Sequence, residues 1–125
     1  MAAFKIKRLN TIIIQVKDLE KSIQFYETVL NLEKGYVDDS MAYFSFDTEN
    51  DPTTILLHIV DESEPVDKGI VIELLVDRLE EAVQSIRNAG FEIIQEPVDR
   101  EWGVKEAIVA DPDGYKIWLA EPLEN

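Results

Sequence analysis

The sequence predicts an α+β fold built from two βαβββ modules. Three observations support this prediction: a strand followed by a helix near the start, a second such pair about 60 residues later, and three strand-like segments after each helix. With 125 residues, 46% of them hydrophobic, the chain suits one compact domain. We expect module 1 at about residues 5–61, a linker at about 62–68 and module 2 at about 69–125.

In the first module, residues 9–33 form a predicted strand that runs into a helix. Asp18 stands where its carboxylate can cap the first turn of that helix. The apolar face of the helix carries Leu19, Ile23, Tyr26 and Leu30. Strand-like segments follow at residues 32–37, 41–46 and 54–60.

The second module repeats this order from residue 69 onward. Asp77 is the candidate helix cap, Glu80 occupies the reciprocal capping-box position, and Gly90 marks the end of the helix. Strand-like segments follow at residues 91–95, 105–110 and 115–121. A shift of the sequence by 60 residues aligns Val16 with Val76, which indicates an internal duplication.

Composition limits the partners of this chain. Its net charge of -14 repels nucleic acid and anionic membrane surfaces, so we expect neither as a partner. It contains no cysteine, which excludes a disulfide framework and thiolate catalysis and favours a cytoplasmic location. No apolar run is long enough to cross a bilayer, and the first residues do not resemble a signal peptide.

Two stretches carry a family likeness, residues 16–33 (VKDLEKSIQFYETVLNLE) and residues 102–122 (WGVKEAIVADPDGYKIWLAEP). Both resemble signatures of the vicinal oxygen chelate superfamily, which comprises glyoxalases, bleomycin resistance proteins and extradiol dioxygenases. The resemblance implies the glyoxalase/bleomycin resistance fold, in which the curved mixed sheets of the two modules form a cleft, with function located in that cleft and a homodimer as the usual assembly. Pairing of the modules within one chain and pairing across a dimer are both compatible with the sequence.

Strand alternation predicts which side chains face the cleft. On the first strand these are Thr11, Ile13 and Gln15, and on the corresponding strand of module 2 they are Val71, Glu73 and Leu75. On the last strand of each module, the 60-residue shift predicts that His58 and Trp118 are equivalent. The inner faces of these last strands carry Leu56, His58, Val60, Lys116, Trp118 and Ala120.

The resemblance implies four inner positions at which metal-using relatives carry His, Gln or Glu. The matching residues here are Thr11, His58, Val71 and Trp118. Only His58 is a good metal ligand, since valine has no lone pair, the indole nitrogen is only a donor and a neutral hydroxyl binds metals weakly. We therefore expect no metal and no other cofactor at these positions.

The predicted cleft is aromatic and acidic, which suits a flat or cationic organic molecule. The candidate ligand-binding residues are Thr11, Gln15, Tyr43, Phe44, His58, Glu73, Trp102 and Trp118. Aromatic side chains such as Trp102 and Phe44 could equally fill a core or a dimer interface.

The favoured hypothesis is a metal-independent binding protein similar to the bleomycin resistance branch, with no catalytic residue, which sequesters a cationic or aromatic antibiotic or metabolite. The alternative is a metal-dependent lyase, isomerase or dioxygenase with a non-standard ligand set around His58 and Glu73. A third hypothesis is a regulatory or scaffold module that retains the fold alone.

Overall fold

The computed structural model describes residues 3–65 and 69–123. Its first module contains β1 (Thr11–Val16), α1 (Leu19–Ile23) with a π-helical continuation (Gln24–Val29), β2 (Glu33–Val37), β3 (Met41–Asp47) and β4 (Asp51–Ile59). The second contains β5 (Ile72–Leu75), α2 (Leu79–Asn88), β6 (Ile93–Asp99), β7 (Val104–Ala110) and β8 (Lys116–Pro122). Every predicted helix and strand is confirmed. Part of the predicted linker, residues 66–68, lies outside the described residues.

The two modules have the same sheet topology. The strand orders are β1-β4-β3-β2 and β5-β8-β7-β6, with the first strand of each module at the edge of its sheet. In both sheets this first strand runs parallel to the last strand of the module, and the remaining pairs are antiparallel. The two halves therefore repeat one topology, as the 60-residue spacing predicts.

Each sheet buries one face against helices and leaves the other uncovered, here called the open face. Alternation along β1 shows this directly, because Ile14 and Val16 are buried whereas Ile13 is 62% exposed. On β5, Leu74 packs against the core while Leu75 is 75% exposed. The predicted alternation along both first strands is therefore confirmed.

The two main helices begin in different ways. Asp18 caps α1 as predicted, since its Oδ1 accepts a hydrogen bond from the Lys21 N–H at 3.1 Å. The predicted Asp77 cap is wrong: the residue that precedes α2 is Arg78, and no side chain at that position caps the helix. Glu121 of β8 replaces it, because its Oε1 accepts the Leu79 N–H at 2.6 Å.

A single turn of π-helix, Gln24–Val29, continues α1 and buries two adjacent aromatic residues. Phe25 packs edge-to-face against Tyr26, with centroids 5.1 Å apart, and against Phe91 of the second module at 4.9 Å. These contacts join the two modules through their helix-covered faces. Within the described residues, no helix is both long and apolar enough to cross a membrane.

The turn between β7 and β8 fastens the second module to the first. Asp111 Oδ2 accepts a 2.8 Å hydrogen bond from the buried Tyr26 hydroxyl. Asp113 Oδ2 accepts the Lys17 N–H at 3.0 Å and the Ser63 hydroxyl at 2.5 Å. Gly114 completes the turn with φ +97°, a conformation that residues with a Cβ rarely adopt. The Asp-Pro-Asp-Gly motif therefore holds the modules together.

Candidate functional site

The open face of the first sheet is mainly neutral. Strand register aligns Gln15, His58 and Met41 in one row across β1, β4 and β3. At the other end of the sheet, the Thr11 and Thr54 hydroxyl oxygens are 2.8 Å apart and share a hydrogen bond. Partners on adjacent strands point to the same side of a sheet, so His58 lies between Gln15 and Met41.

Two predicted aromatic residues of β3 lie on opposite faces. Tyr43 pairs with Leu56 on the open face, as predicted. Phe44 pairs with the buried Ile55, is fully buried itself, and has its ring 6.1 Å from that of Tyr26. The prediction that Phe44 lines the cleft is therefore wrong, because the two-residue period of the strand turns it into the core.

The open face of the second sheet carries a row of four side chains. Glu73 on β5 pairs with Trp118 on β8, Trp118 pairs with Ile108 on β7, and Ile108 pairs with Gln95 on β6. The amide nitrogen Nε2 of Gln95 is buried and has no hydrogen-bond partner among the described residues. The row therefore ends in a carboxylate on one side and an unsatisfied amide on the other.

A pair of carboxylic side chains lies beside this row. Glu106 on β7 is 2% exposed and accepts a 3.0 Å charged hydrogen bond from Arg100 Nε. Glu73 lies diagonally across β8 from Glu106, because Glu73 pairs with Trp118 and Glu106 pairs with Ala120 on the same strand. Desolvation raises the pKa of Glu73, and the neighbouring carboxyl group of Glu106 raises it further. The two groups therefore share one local environment.

Trp102 lies in the turn before β7 and is 69% exposed. The Arg100 guanidinium carbon is 5.7 Å from the centroid of its ring, which is a cation–π distance. Because Arg100 also binds Glu106, Trp102 belongs to the same side of the second sheet as Glu73 and Trp118.

The predicted equivalence of His58 and Trp118 is wrong. The helices begin 60 residues apart, at Leu19 and Leu79, so Ile13 corresponds to Glu73. Ile13 pairs with Leu56, whereas Glu73 pairs with Trp118. Leu56 is therefore the counterpart of Trp118, because the second module contains two more residues between its helix and its last strand.

This register decides which residues occupy the positions where the fold family implies a divalent metal. With Leu56 in place of His58, the four family positions hold Thr11, Leu56, Val71 and Trp118. Three of these side chains have no lone pair to offer, and that remains so whichever sheets face each other. Nor do the described residues contain a cluster of three or more His, Cys, Asp or Glu that could hold a metal. The residues present do not fit the metal.

Within one chain, the structure also separates His58 and Glu73, the two residues of the alternative metal-dependent hypothesis. His58 lies on the first sheet beside Gln15, whereas Glu73 lies on the second sheet beside Trp118. The acidic neighbour of Glu73 is Glu106 of the same sheet. Arg100 was not predicted at all, although a buried glutamate within the strand Val104–Ala110 signals the need for a nearby cation.

Comparisons with known proteins agree with this architecture. Residues 8–119 match the sequence profile of the Glyoxalase/Bleomycin resistance protein/Dioxygenase superfamily. A lactoylglutathione lyase of Neisseria meningitidis serogroup A is 32% identical over 120 residues, which cover 88% of this chain and 87% of the relative. A lactoylglutathione lyase of Salmonella typhimurium is 34% identical over 124 residues, which cover 91% of this chain and 92% of the relative.

Among solved structures, a superfamily member from Sphaerobacter thermophilus superposes with a TM-score of 0.73 and 25% sequence identity. The superposition covers 93% of this chain and 98% of that one. The topology, the profile match and the two lyases lead to one conclusion: the chain belongs to the Glyoxalase/Bleomycin resistance protein/Dioxygenase superfamily.

Proposed function

We propose that this protein binds a small organic molecule on the open faces of its sheets, without a divalent metal at the family positions. The observation that carries the proposal is the presence of Leu56, Val71 and Trp118 where metal-using members of the family carry His, Gln or Glu. A metal held by the remaining threonine hydroxyl alone would dissociate readily.

The open face of the second sheet has the features of a ligand site. It combines a half-buried indole, Trp118, with the Glu73 and Glu106 carboxyl groups and the Arg100 guanidinium. Sites for small molecules are typically apolar walls with a few polar groups that fix the orientation of the ligand. The proposed ligand is an organic metabolite or antibiotic. The absence of cysteine favours a cytoplasmic location for the protein.

A second copy of the chain completes this site in our proposal. Ile13 and Leu75 are the most exposed apolar side chains of the two open faces, at 62% and 75%. Both lie on strands at the edge of their sheets. Burial of such side chains in a homodimer would place one open face opposite another and form a closed cleft.

Elemental analysis tests the metal-independent function. The tag-free protein is incubated with Ni, Co, Zn, Mn or Fe(II), desalted and analysed, with His58→Ala as a control because His58 is the only histidine. We expect no stoichiometric metal in either protein. About one ion per chain that is lost in His58→Ala would refute the proposal and establish a metal site around His58. Calorimetric titration with cationic and aromatic antibiotics and metabolites then searches for the ligand.

A second candidate function is a lyase of the kind that the relatives represent. The observation in its favour is the 32% to 34% identity with lactoylglutathione lyases over most of both chains. Such an enzyme would have to use groups other than those at the family metal positions, and Glu73 with Glu106 is the pair able to exchange a proton. Formation of lactoylglutathione by the purified protein, measured with and without added metals, tests this candidate.

A further inference from the structure

The carboxyl pair of the second sheet is assembled across a strand. Glu73 lies on β5 and Glu106 on β7, with β8 between them. The residue of β8 that pairs with Glu106 is Ala120, which is 2% exposed although its strand alternation turns it to the open face. A methyl group at this position leaves the space above the strand, between the two longer side chains, free of a bulky group.

The charges of this assembly do not cancel. Glu106 is buried and paired with Arg100 Nε at 3.0 Å, so one negative and one positive charge are matched there. Glu73 adds a second carboxyl group, and its own position is exposed on the edge strand β5. The ionised site is therefore one negative charge in excess, which a ligand with a single positive charge would neutralise.

The surface beside the pair is flat and apolar. Trp118 and Ile108 are consecutive partners between Glu73 and Gln95, so they form the middle of the row. Since neighbouring strands lie about 4.8 Å apart, the backbone positions of Glu73 and Gln95 are roughly 14 Å apart. This span accommodates one aromatic ring with a polar group at each end.

Gln95 supplies an independent indication of a ligand. Its neighbour Glu96 points toward α2, where its carboxylate binds Arg87, whereas Gln95 pairs with Ile108 of the open face. The buried Nε2 atom of Gln95 donates to no acceptor among the described residues. An unsatisfied buried donor destabilises a protein, and an acceptor brought by a ligand would recover that free energy.

We propose that the open face of the second sheet selects flat organic cations: an amidinium or ammonium group donates to Glu73 and Glu106, the ring lies on Trp118, and an acceptor at the far end faces Gln95. This inference rests on the proposed ligand-binding function and names its ligand class. The excess carboxylate attracts the cation, while the apolar row contributes binding free energy in proportion to the ring surface that it covers.

Tryptophan fluorescence tests this selectivity. The chain contains two tryptophans, and Trp102→Phe leaves Trp118 as the only tryptophan, whose emission is excited selectively at a wavelength that tyrosine does not absorb. This parent is titrated with benzamidine, with its neutral isostere benzamide and with the anion benzoate. We expect saturable quenching by benzamidine, with a dissociation constant roughly tenfold or more below those of benzamide and benzoate, as expected for hydrogen bonds to a charged group.

Two variants of this parent separate the cation site from general charge effects. Glu73→Gln is expected to weaken benzamidine binding roughly tenfold and to reduce the preference for benzamidine over benzamide accordingly. Glu49→Gln removes one negative charge from the exposed turn between β3 and β4, and we expect it to change neither. Equal weakening of benzamidine binding by both variants would mean that the net charge of the protein alone causes the effect, and it would overturn the proposal.

The role of Gln95 has its own probe. 4-Carbamoylbenzamidine adds an amide acceptor opposite the cation and is expected to bind more tightly than benzamidine. Gln95→Leu should remove that gain, so that the two probes bind this variant with similar affinity. A gain that persists in Gln95→Leu would overturn the proposed contact.

The titrations also distinguish this inference from the broader function. If all three simple probes quench Trp118 with equal affinity, cation selectivity is refuted and ligand binding on the open face stands. If none of them changes the fluorescence of Trp118, the cation site is refuted, and metal retention in the elemental analysis decides separately on the metal-independent function.

Discussion

Substitution of Tyr26 by Phe removes the hydroxyl that joins the two modules at their most buried polar contact. Tyr26 is fully buried in the first module, and its hydroxyl donates at 2.8 Å to Asp111 Oδ2, a carboxylate of the second module that is 4% exposed. The other oxygen, Oδ1, accepts the backbone N–H groups of Asp113 and Tyr115 at 3.0 and 2.8 Å. Loss of the hydroxyl leaves Oδ2 buried without its donor.

The expected destabilisation is about 1.5–3 kcal/mol at neutral pH, the range for hydrogen bonds to charged groups. Burial raises the pKa of Asp111, and the hydrogen bond from Tyr26 lowers it. Because the pKa of Asp111 is higher in the folded protein than in the unfolded chain, the free energy of unfolding decreases as the pH rises from the lower of these two pKa values to the higher. Without the hydroxyl, the pKa of Asp111 rises further. The difference in the free energy of unfolding between the wild type and Tyr26→Phe is therefore largest at pH values where Asp111 is ionised in the folded protein. It decreases at lower pH, as Asp111 is protonated.

Urea denaturation at neutral and at acidic pH measures both effects. Tyr36→Phe is the matched control, because Tyr36 donates to Asp38 at a similar distance, 2.9 Å, but on the exposed strand β2. We expect this control to change the free energy of unfolding by less than about 0.5 kcal/mol. A loss for Tyr26→Phe within that same small range, or one equal at both pH values, would refute the role assigned to the contact.

Three further predictions concern the second module. Glu121→Ala removes the acceptor of the Leu79 N–H and should lower the free energy of unfolding by about 0.5–2 kcal/mol in urea denaturation, whereas Asp77→Ala should not. Desolvation and the neighbouring Glu106 raise the pKa of Glu73, so its ionised form destabilises the folded protein. At pH values above this pKa, Glu73→Gln should therefore have a higher thermal midpoint than the wild type, and at lower pH the two midpoints should be equal. Leu75→Glu places a charge in the proposed dimer interface, so sedimentation should show monomers at concentrations where the wild type is dimeric, and a wild-type monomer would contradict the dimer.

Local patterns were sufficient to predict most of the fold. Alternation along β1 separates the buried Ile14 and Val16 from the exposed Ile13, because a strand with one covered face has a period of two. The Asp18 cap depends only on neighbouring residues. The prediction of the α2 cap failed because the acceptor, Glu121, lies on a strand 42 positions after Leu79, where no local sequence pattern reveals it.

The candidate site was harder to predict because it depends on strand register. A shift of 60 residues aligns the helices, but it fails on the last strands, where Leu56 and not His58 corresponds to Trp118. The approach of Glu73 to Glu106 across β8 requires both the register and a small residue between them. Neither is encoded in a spacing along the chain.

The contacts of the Asp-Pro-Asp-Gly turn have a consequence for how the chain folds. Asp113 binds the Lys17 backbone, and Tyr115 donates to the Gln15 carbonyl, so the last hairpin closes contacts across almost the whole sequence. Contacts with such long separations raise contact order and slow folding, since a large loop must close before they form. Although the two halves share one topology, each loses these contacts when it is separated from the other. The chain should therefore unfold in one cooperative transition rather than half by half.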